Sequence, residues 1–179
     1  MIYKTFTKMM DMIIRHTAPG DLDAVMEIYG SARHRMRLAG NRSQWIGGYP
    51  SRQRIMADID ANVSYVVEAG GVIAGVFAFI QGEEPTYRNI DGRWPDDRPY
   101  GTIHRIASAG IVRGIADACL EFCLSAGVNI RIDTHADNHP MLSWIRKRGF
   151  EHCGIIRVED GSPRIAFQLG AAPLSKSVF

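Results

Sequence analysis

Two rhythms of apolar residues run along this chain, one of period two and one of period three to four, and each predicts an element. Met12 to His16 reads as a short strand. Pro19-Gly20 interrupts it, and Asp21 is placed to cap a helix reaching about Leu38. Within that helix Leu22, Val25, Met26 and Tyr29 recur at spacings of three and four, forming one apolar stripe. Residues 39–50 are rich in glycine and polar side chains but carry Trp45 and Tyr49. Ser51 is placed to cap a second helix to about Ile59, with Ile55 and Ile59 four apart. Val63 to Glu68 and Val72 to Ile80 read as strands around an Ala69-Gly70-Gly71 turn. The next 18 residues, EEPTYRNIDGRWPDDRPY at 83–100, hold three prolines and no periodicity. Loops beyond about 12–15 residues are uncommon in compact domains unless they serve a function.

The second half is more regular. Thr102 to Ser108 reads as a strand, and Arg113 to Ala126 as a helix with Ile115, Cys119, Phe122 and Cys123 on its buried side. Asn129 to Thr134 is a strand. Asn138 caps a helix whose first turn holds Pro140, a tolerated place for proline. Gly149 ends that helix after Arg146-Lys147-Arg148. Phe150 to Glu159 and Arg164 to Leu169 are closing strands joined by Asp160-Gly161-Ser162-Pro163. The order β-α-α-β-β-β-α-β-α-β-β mixes hairpins with crossover helices. It predicts an α/β (α+β) domain with a mixed sheet covered by helices on both faces. One domain is expected over 12–170, between a loose leader at 1–11 and a tail at 171–179.

Composition narrows the classes. The 179 residues are 46% hydrophobic and 22% charged, as in an ordinary globular domain. Lys+Arg number 21 against 19 Asp+Glu, a net +2, so there is no bulk electrostatic case for nucleic-acid binding. The longest mostly apolar run, Gly71 to Ile80, is about half the ~20 residues a membrane-spanning helix needs, so no membrane association is expected. The opening MIYKTFTKMMDM has lysines but neither an apolar core nor a small-residue cleavage site. Met10 or Met12 can be the real start, and a cytoplasmic protein is expected. Cys119, Cys123 and Cys153 are too few and odd in number for a disulfide framework. The first two read as core residues; a metal would need more ligands, and only His152 adjoins the third.

The strand, turn and helix at 102–126 carry the clearest chemistry. A helix N-terminus presents free N–H groups and partial positive charge, so it can hold a phosphate. Gly110 lies in the turn, and Gly114 and Ala116 would let a bulky anion approach the backbone; plain helix–strand packing explains the same glycine equally well. His135 and His139 are four apart with Asp133 and Asp137 nearby, but the helix start at Asn138 and Pro140 separates them, and no Glu completes a zinc motif. No metal is expected.

The segments R-G-I-A at 113–116 and N-H-P-M-L-S-W-I-R-K-R-G-F at 138–150, with the element order from about Ile13 to Leu169, resemble the GNAT superfamily of acyl-CoA-dependent N-acetyltransferases. The opening R-H-T-A-P-G-D-L-D-A-V is similar to a typical family beginning. The resemblance implies a mostly antiparallel central sheet, splayed at the cofactor strand pair, and acetyl-CoA as cosubstrate. The phosphate loop would run through Ile111, Val112, Arg113, Gly114, Ile115 and Ala116. Ile111 stands where Gln or Arg is usual and Val112 where a glycine is common; Arg113 can substitute as the side-chain donor. The pantetheine arm would pair with Ile106, Ala107 and Ser108 as an added strand. Asn138 matches an asparagine that reaches the cofactor arm, and also suits a helix cap. Ser143 is grouped with these cofactor residues.

Ile145 stands where many members carry a tyrosine acid. A thiol of pKa ~8.5 leaves readily, and Ser143, Tyr100 or water could protonate it. The acceptor amine, of pKa ~10.4, must lose a proton before attack. His104, Asp133 and His135 are the candidate bases, with Glu83 as a further one. By strict alternation His104 would share a face with Ile106 and Ser108. For the amine, the long loop offers Glu83, Glu84, Asp91, Asp96 and Asp97 among Tyr87, Trp94 and Tyr100, and residues 39–50 add Trp45 and Tyr49. These expectations combine into acetyl transfer from acetyl-CoA to a primary amine of a small molecule or peptide, by direct attack. The alternatives are an acyl-CoA-binding module with little catalysis and, more weakly, a nucleotide phosphate-binding domain. A homodimer is expected only from the general frequency of twofold assemblies.

Overall fold

A computed structural model describes residues 11–171 of the chain. The expected leader and tail, and the alternative start at Met10, lie outside these residues apart from Asp11 and Ala171.

The strands are β1 (Met12–His16), β2 (Ser64–Ala69), β3 (Val72–Gln81), β4 (Ile90–Gly92), β5 (Tyr100–Ser108), β6 (Asn129–Thr134), β7 (Glu151–Arg157) and β8 (Pro163–Leu169). They form one sheet in the order β1-β2-β3-β5-β6-β8-β7-β4. Only the β5–β6 join is parallel; the others are antiparallel. The helices are α1 (Leu22–Leu38), α2 (Arg52–Asp60), α3 (Ile115–Leu124) and α4 (His139–Lys147).

Alternation along the strands sorts the core into two layers. Val66, Val76 and Ala107 face α1 and α2, where Val25, Ile28, Tyr29, Ile55 and Ile59 are buried. Val67, Phe77, Phe79, Ile103, Ile130 and Ile132 face α3 and α4, where Ile115, Cys119, Cys123, Leu142 and Ile145 are buried. Each fully buried aliphatic side chain stabilises the fold by about 1.5–3 kcal/mol. No helix among the described residues is long and apolar enough to cross a membrane.

Three details depart from expectation. The stretch at 83–100 contains a short 3₁₀ turn at Pro85–Tyr87 and the strand β4, which pairs with Gly154–Ile156. A three-residue strand is too short to show periodicity, and its partner is remote in sequence. Asp21 stands before α1 but makes no side-chain cap to it. Its carboxylate accepts instead from the Ala18 N–H at 2.7 Å and pairs with Arg15 at 2.6 Å, closing the preceding turn. α3 begins at Ile115, not Arg113, because Gly114 has φ 86° and so lies outside right-handed helical space.

Gly75 sets how close α3 comes to the sheet. A Cβ there would lie 2.4 Å from the Ile115 side chain, so only glycine lets the first turn of α3 rest on β3. Gly75 is also paired with Ser108, so this contact fixes the helix start beside the end of β5.

Candidate active site

The parallel join between β5 and β6 is brief. Tyr100, Gly101 and Thr102 pair with Asn129, Ile130 and Arg131, and there the ladder ends. Beyond it each strand keeps its outer partner, β5 with β3 and β6 with β8, while their facing edges diverge. A cavity of ≈ 530 Å³ opens at this divergence, lined by Ile103–Ile106 of β5 and Ile132–Thr134 of β6. Trp45 and Tyr49 close it from one side, and Glu159 and Asp160 of the β7–β8 turn from another. The Thr134 hydroxyl is buried in this wall without a hydrogen-bond partner among the described residues.

A chain irregularity arranges the polar side chains. Arg105 has φ 54°, and the β3–β5 register shifts between Val76 and Ala78. This is a β-bulge, an extra residue on one strand that breaks alternation. His104 lies opposite Ala78 and Ala107 opposite Val76, two positions on the same face of β3. His104 therefore shares a face with Ala107, on the α1–α2 side. Ile106 packs on the α3–α4 side. The expectation that His104, Ile106 and Ser108 share one face is corrected by the bulge.

His104 Nε2 lies 2.9 Å from Glu84 Oε2, with both side chains largely buried. Burial alone would raise the Glu84 pKa, but the bond and charge of His104, with Thr86 donors, outweigh it and hold it at about 2. An ionised carboxylate only accepts, so Nε2 carries the hydrogen, and Nδ1 is the ring nitrogen left to take up a proton. Asp133 also lines the cavity. Burial pushes its pKa up, against the lowering influence of His104 and of the Tyr87 hydroxyl, which donates to Asp133 Oδ2 at 3.1 Å.

Arg105 turns toward α2. Its Nη2 lies 2.8 Å from Asp58 Oδ2, both side chains being about 95% buried at 5% and 4% exposure. Arg54 shares the same carboxylate at 3.3 Å. Arg105 Nη1 donates to the Tyr49 hydroxyl at 3.3 Å, and its main-chain carbonyl accepts from Tyr29 at 2.9 Å.

The N-termini of the helices differ. Ser51 caps α2 by accepting from the Arg54 N–H, and Asn138 caps α4 by accepting from the Met141 N–H. At α3 the capping position is Gly114, and no side chain among the described residues accepts from its first turn. Arg35 reaches this corner, donating to the Ser108 carbonyl.

No family model and no curated protein matches the chain. Solved structures do. An acetyltransferase of the GNAT family from Streptococcus agalactiae 2603 is similar at TM-score 0.82 and 32% identity, over 90% of this chain and 96% of that one. The chain belongs to the GNAT family. A GNAT-family acetyltransferase from Listeria monocytogenes is similar at TM-score 0.68 and 18% identity, covering 90% of this chain and 95% of that one. A GNAT-like decarboxylase in complex with isobutyryl-CoA is similar at TM-score 0.65 and 16% identity, covering 89% and 100%. The last two share the fold; their chemistry is their own.

Against this GNAT frame, the residues singled out in the sequence separate into groups. His104, Asp133, Ile106 and Asn138 meet at the cavity. Asn138 also donates to Gln44 at 3.0 Å, so it ties α4 to the 39–50 loop while capping its helix. Ala107 is buried against α1–α2, and the Ser108 hydroxyl accepts from the Gly110 N–H at 3.0 Å. Ile111, Arg113 and Gly114 are exposed around the start of α3, Val112 and Ala116 half-buried, and Ile115 buried. His135 lies outside the cavity lining and faces Asp137 across its own turn, 3.4 Å away. Ser143 is on the exposed side of α4, also outside it. Ile145 is fully buried in the core.

Of the long loop's acidic and aromatic groups, Glu84 alone lines the cavity, with Thr86 beside it. Glu83 is exposed and pairs with Arg88 at 2.8 Å. Trp94 and Tyr100 sandwich the Arg131 guanidinium at 3.9 and 3.7 Å. Nothing local in the sequence marks Arg105 or Arg35, and Glu84 stands there only as one of the loop's acceptor carboxylates. The one local signal was Glu84 standing before Pro85, the start of a turn whose Thr86 N–H it accepts. The three cysteines are free and buried, and burial raises the Cys123 thiol to about 12 and the Cys153 thiol to about 11. Among the described residues no group of three or more His, Cys, Asp or Glu could hold a metal ion.

Proposed function

We propose that this protein transfers an acetyl group from acetyl-CoA to a primary amine by direct attack, with His104 as proton acceptor and Glu84 holding its ring. The carrying observation is the His104–Glu84 pair inside the cavity where β5 and β6 diverge. Three features suit an acyl-CoA. The open edge of β5 offers main-chain groups to amides, the uncapped start of α3 offers N–H donors to a pyrophosphate, and the buried Thr134 hydroxyl lacks a partner. The bound thioester supplies an activated carbonyl.

The chain's own groups handle the protons. An alkyl amine of pKa ~10.4 is ionised in all but ~1 in 10³ molecules at neutral pH. Ionised Glu84 draws the ammonium in, Nδ1 of His104 takes its first proton before attack, and the second proton passes to water as the C–N bond forms and the C–S bond breaks. Such positioned bases contribute about 10²–10⁴-fold. The thiol leaves as thiolate. Ile145 has no polar atom to protonate it, and Ser143 and Tyr100 lie outside the cavity lining, so water serves, at a gap of only ~2 kcal/mol for a thiol of pKa ~8.5.

The apolar Ile145, at the position the resemblance assigns to a tyrosine acid, supports a second reading, an acyl-CoA-binding module with little turnover. Calorimetry with acetyl-CoA and a thiol-release assay over a panel of amines separate the two. Binding plus turnover is expected; binding with no turnover on any amine favours the module, and no binding defeats both.

A further inference from the structure

The mechanism leaves one group in the cavity wall unused. The bulge turns two consecutive residues, His104 and Arg105, toward the α1–α2 side, with their Cα atoms about 3.8 Å apart. Each meets a carboxylate, but the balance differs. His104 stands beside Glu84 and Asp133, and Glu159 and Asp160 line the same cavity with Arg164, so acidic groups outnumber basic ones around it. At the other end Arg105 and Arg54 share Asp58, which leaves one positive charge in excess. Nε and Nη2 of Arg105 make no hydrogen bond of good geometry among the described residues, although the side chain is about 95% buried at 5% exposure. Buried guanidinium donors without full partners are costly, and native structures rarely keep them without a use. The Tyr49 hydroxyl, bonded to Arg105, lines the same wall.

We infer that the acceptor is a small amino carboxylate, its amine seated by Glu84 and His104 and its carboxylate drawn to Arg105, Arg54 and Tyr49. This rests on the acetyl-transfer reading and narrows its substrate class. A simple alkyl amine would leave the basic end without a counter-charge, whereas a free amino acid complements both ends. Sites built to bond a charged substrate group discriminate strongly against analogues lacking it.

The test measures thiol release from acetyl-CoA with free L-amino acids, the matching carboxamides and the matching decarboxylated amines. For the best acid, kcat/KM is expected to exceed that of its amide by about 100-fold or more. In Arg105→Met the acid-to-amide ratio should shrink to about fivefold or less, a quantity in which general loss of activity cancels. Asp58 would lose its buried partner in that variant and keep only Arg54, so Arg105→Met/Asp58→Asn is measured beside it. Amides or decarboxylated amines turned over as well as the acids would overturn the carboxylate assignment while leaving acetyl transfer intact. Failure of every amine, with acetyl-CoA bound, would instead overturn the transfer reading on which the assignment rests.

Discussion

The two sides of the cleft are built from different materials. On the α3 side the candidate anion site is main chain: the turn at Gly110, the left-handed Gly114 and the uncapped first turn of a helix seated on β3 by Gly75. On the α1–α2 side the site is side chains from four separated segments: Tyr49, Asp58, Glu84 and the pair His104–Arg105. A main-chain site tolerates side-chain change but not a change of backbone conformation. The side-chain site has the opposite weakness, and substitutions that touch one and spare the other tell them apart.

The largest effect is expected on the side-chain half. His104→Ala should lower kcat by about 10²–10⁴-fold with the Kd for acetyl-CoA unchanged, read by steady-state kinetics and calorimetry. A parallel loss of acetyl-CoA affinity would show that the halves are not separable.

Next is the Glu84 carboxylate. Its pKa of about 2 lies below the ordinary 4.5, so its stabilising contribution is complete above pH 4.5 and vanishes as pH falls toward 2. The loss should approach roughly 3 kcal/mol. Denaturation midpoints followed across that range in native protein and Glu84→Gln should show the slope in the first and its flattening in the second.

On the main-chain half, Gly114→Glu places a charged side chain and an unfavourable positive φ where donors converge. Affinity for CoA should fall by about 30-fold, near 2 kcal/mol, with the His104–Glu84 pair untouched. Isothermal titration at low salt reads this directly, and unchanged affinity would move the anion site elsewhere. The smallest effect belongs to Asn138→Ala, which removes the α4 cap and the Gln44 tie. It should cost about 1 kcal/mol of stability, measured by urea denaturation. A loss of CoA affinity well beyond that would mark Asn138 as a ligand and not a cap alone.

Much of this architecture was legible in the residues. Among the described residues, period-two and period-three runs located the four α-helices and the strands except β4, because a buried face imposes its period on the sequence. Asn138 and Ser51 announced the helices they cap. The failures have a common cause. β4 is recognisable only by its partner β7, far along the chain. Glu83 and Glu84 look alike as candidate bases in the sequence, and only the fold shows which of the two neighbours points inward. Strict alternation misdirected His104 because a bulge leaves its mark in a φ angle, and Arg105 is not a residue type that signals one.

What the residues alone determined is the order of elements, the two-faced core and the glycine-led entry to α3, since burial and backbone freedom act locally. Only the folded chain decided that β5 and β6 part after three pairs, that His104 meets Glu84, and that Arg105 shares Asp58 with Arg54. Those are contacts between remote segments, and their existence depends on register and bulge geometry that local preferences do not encode.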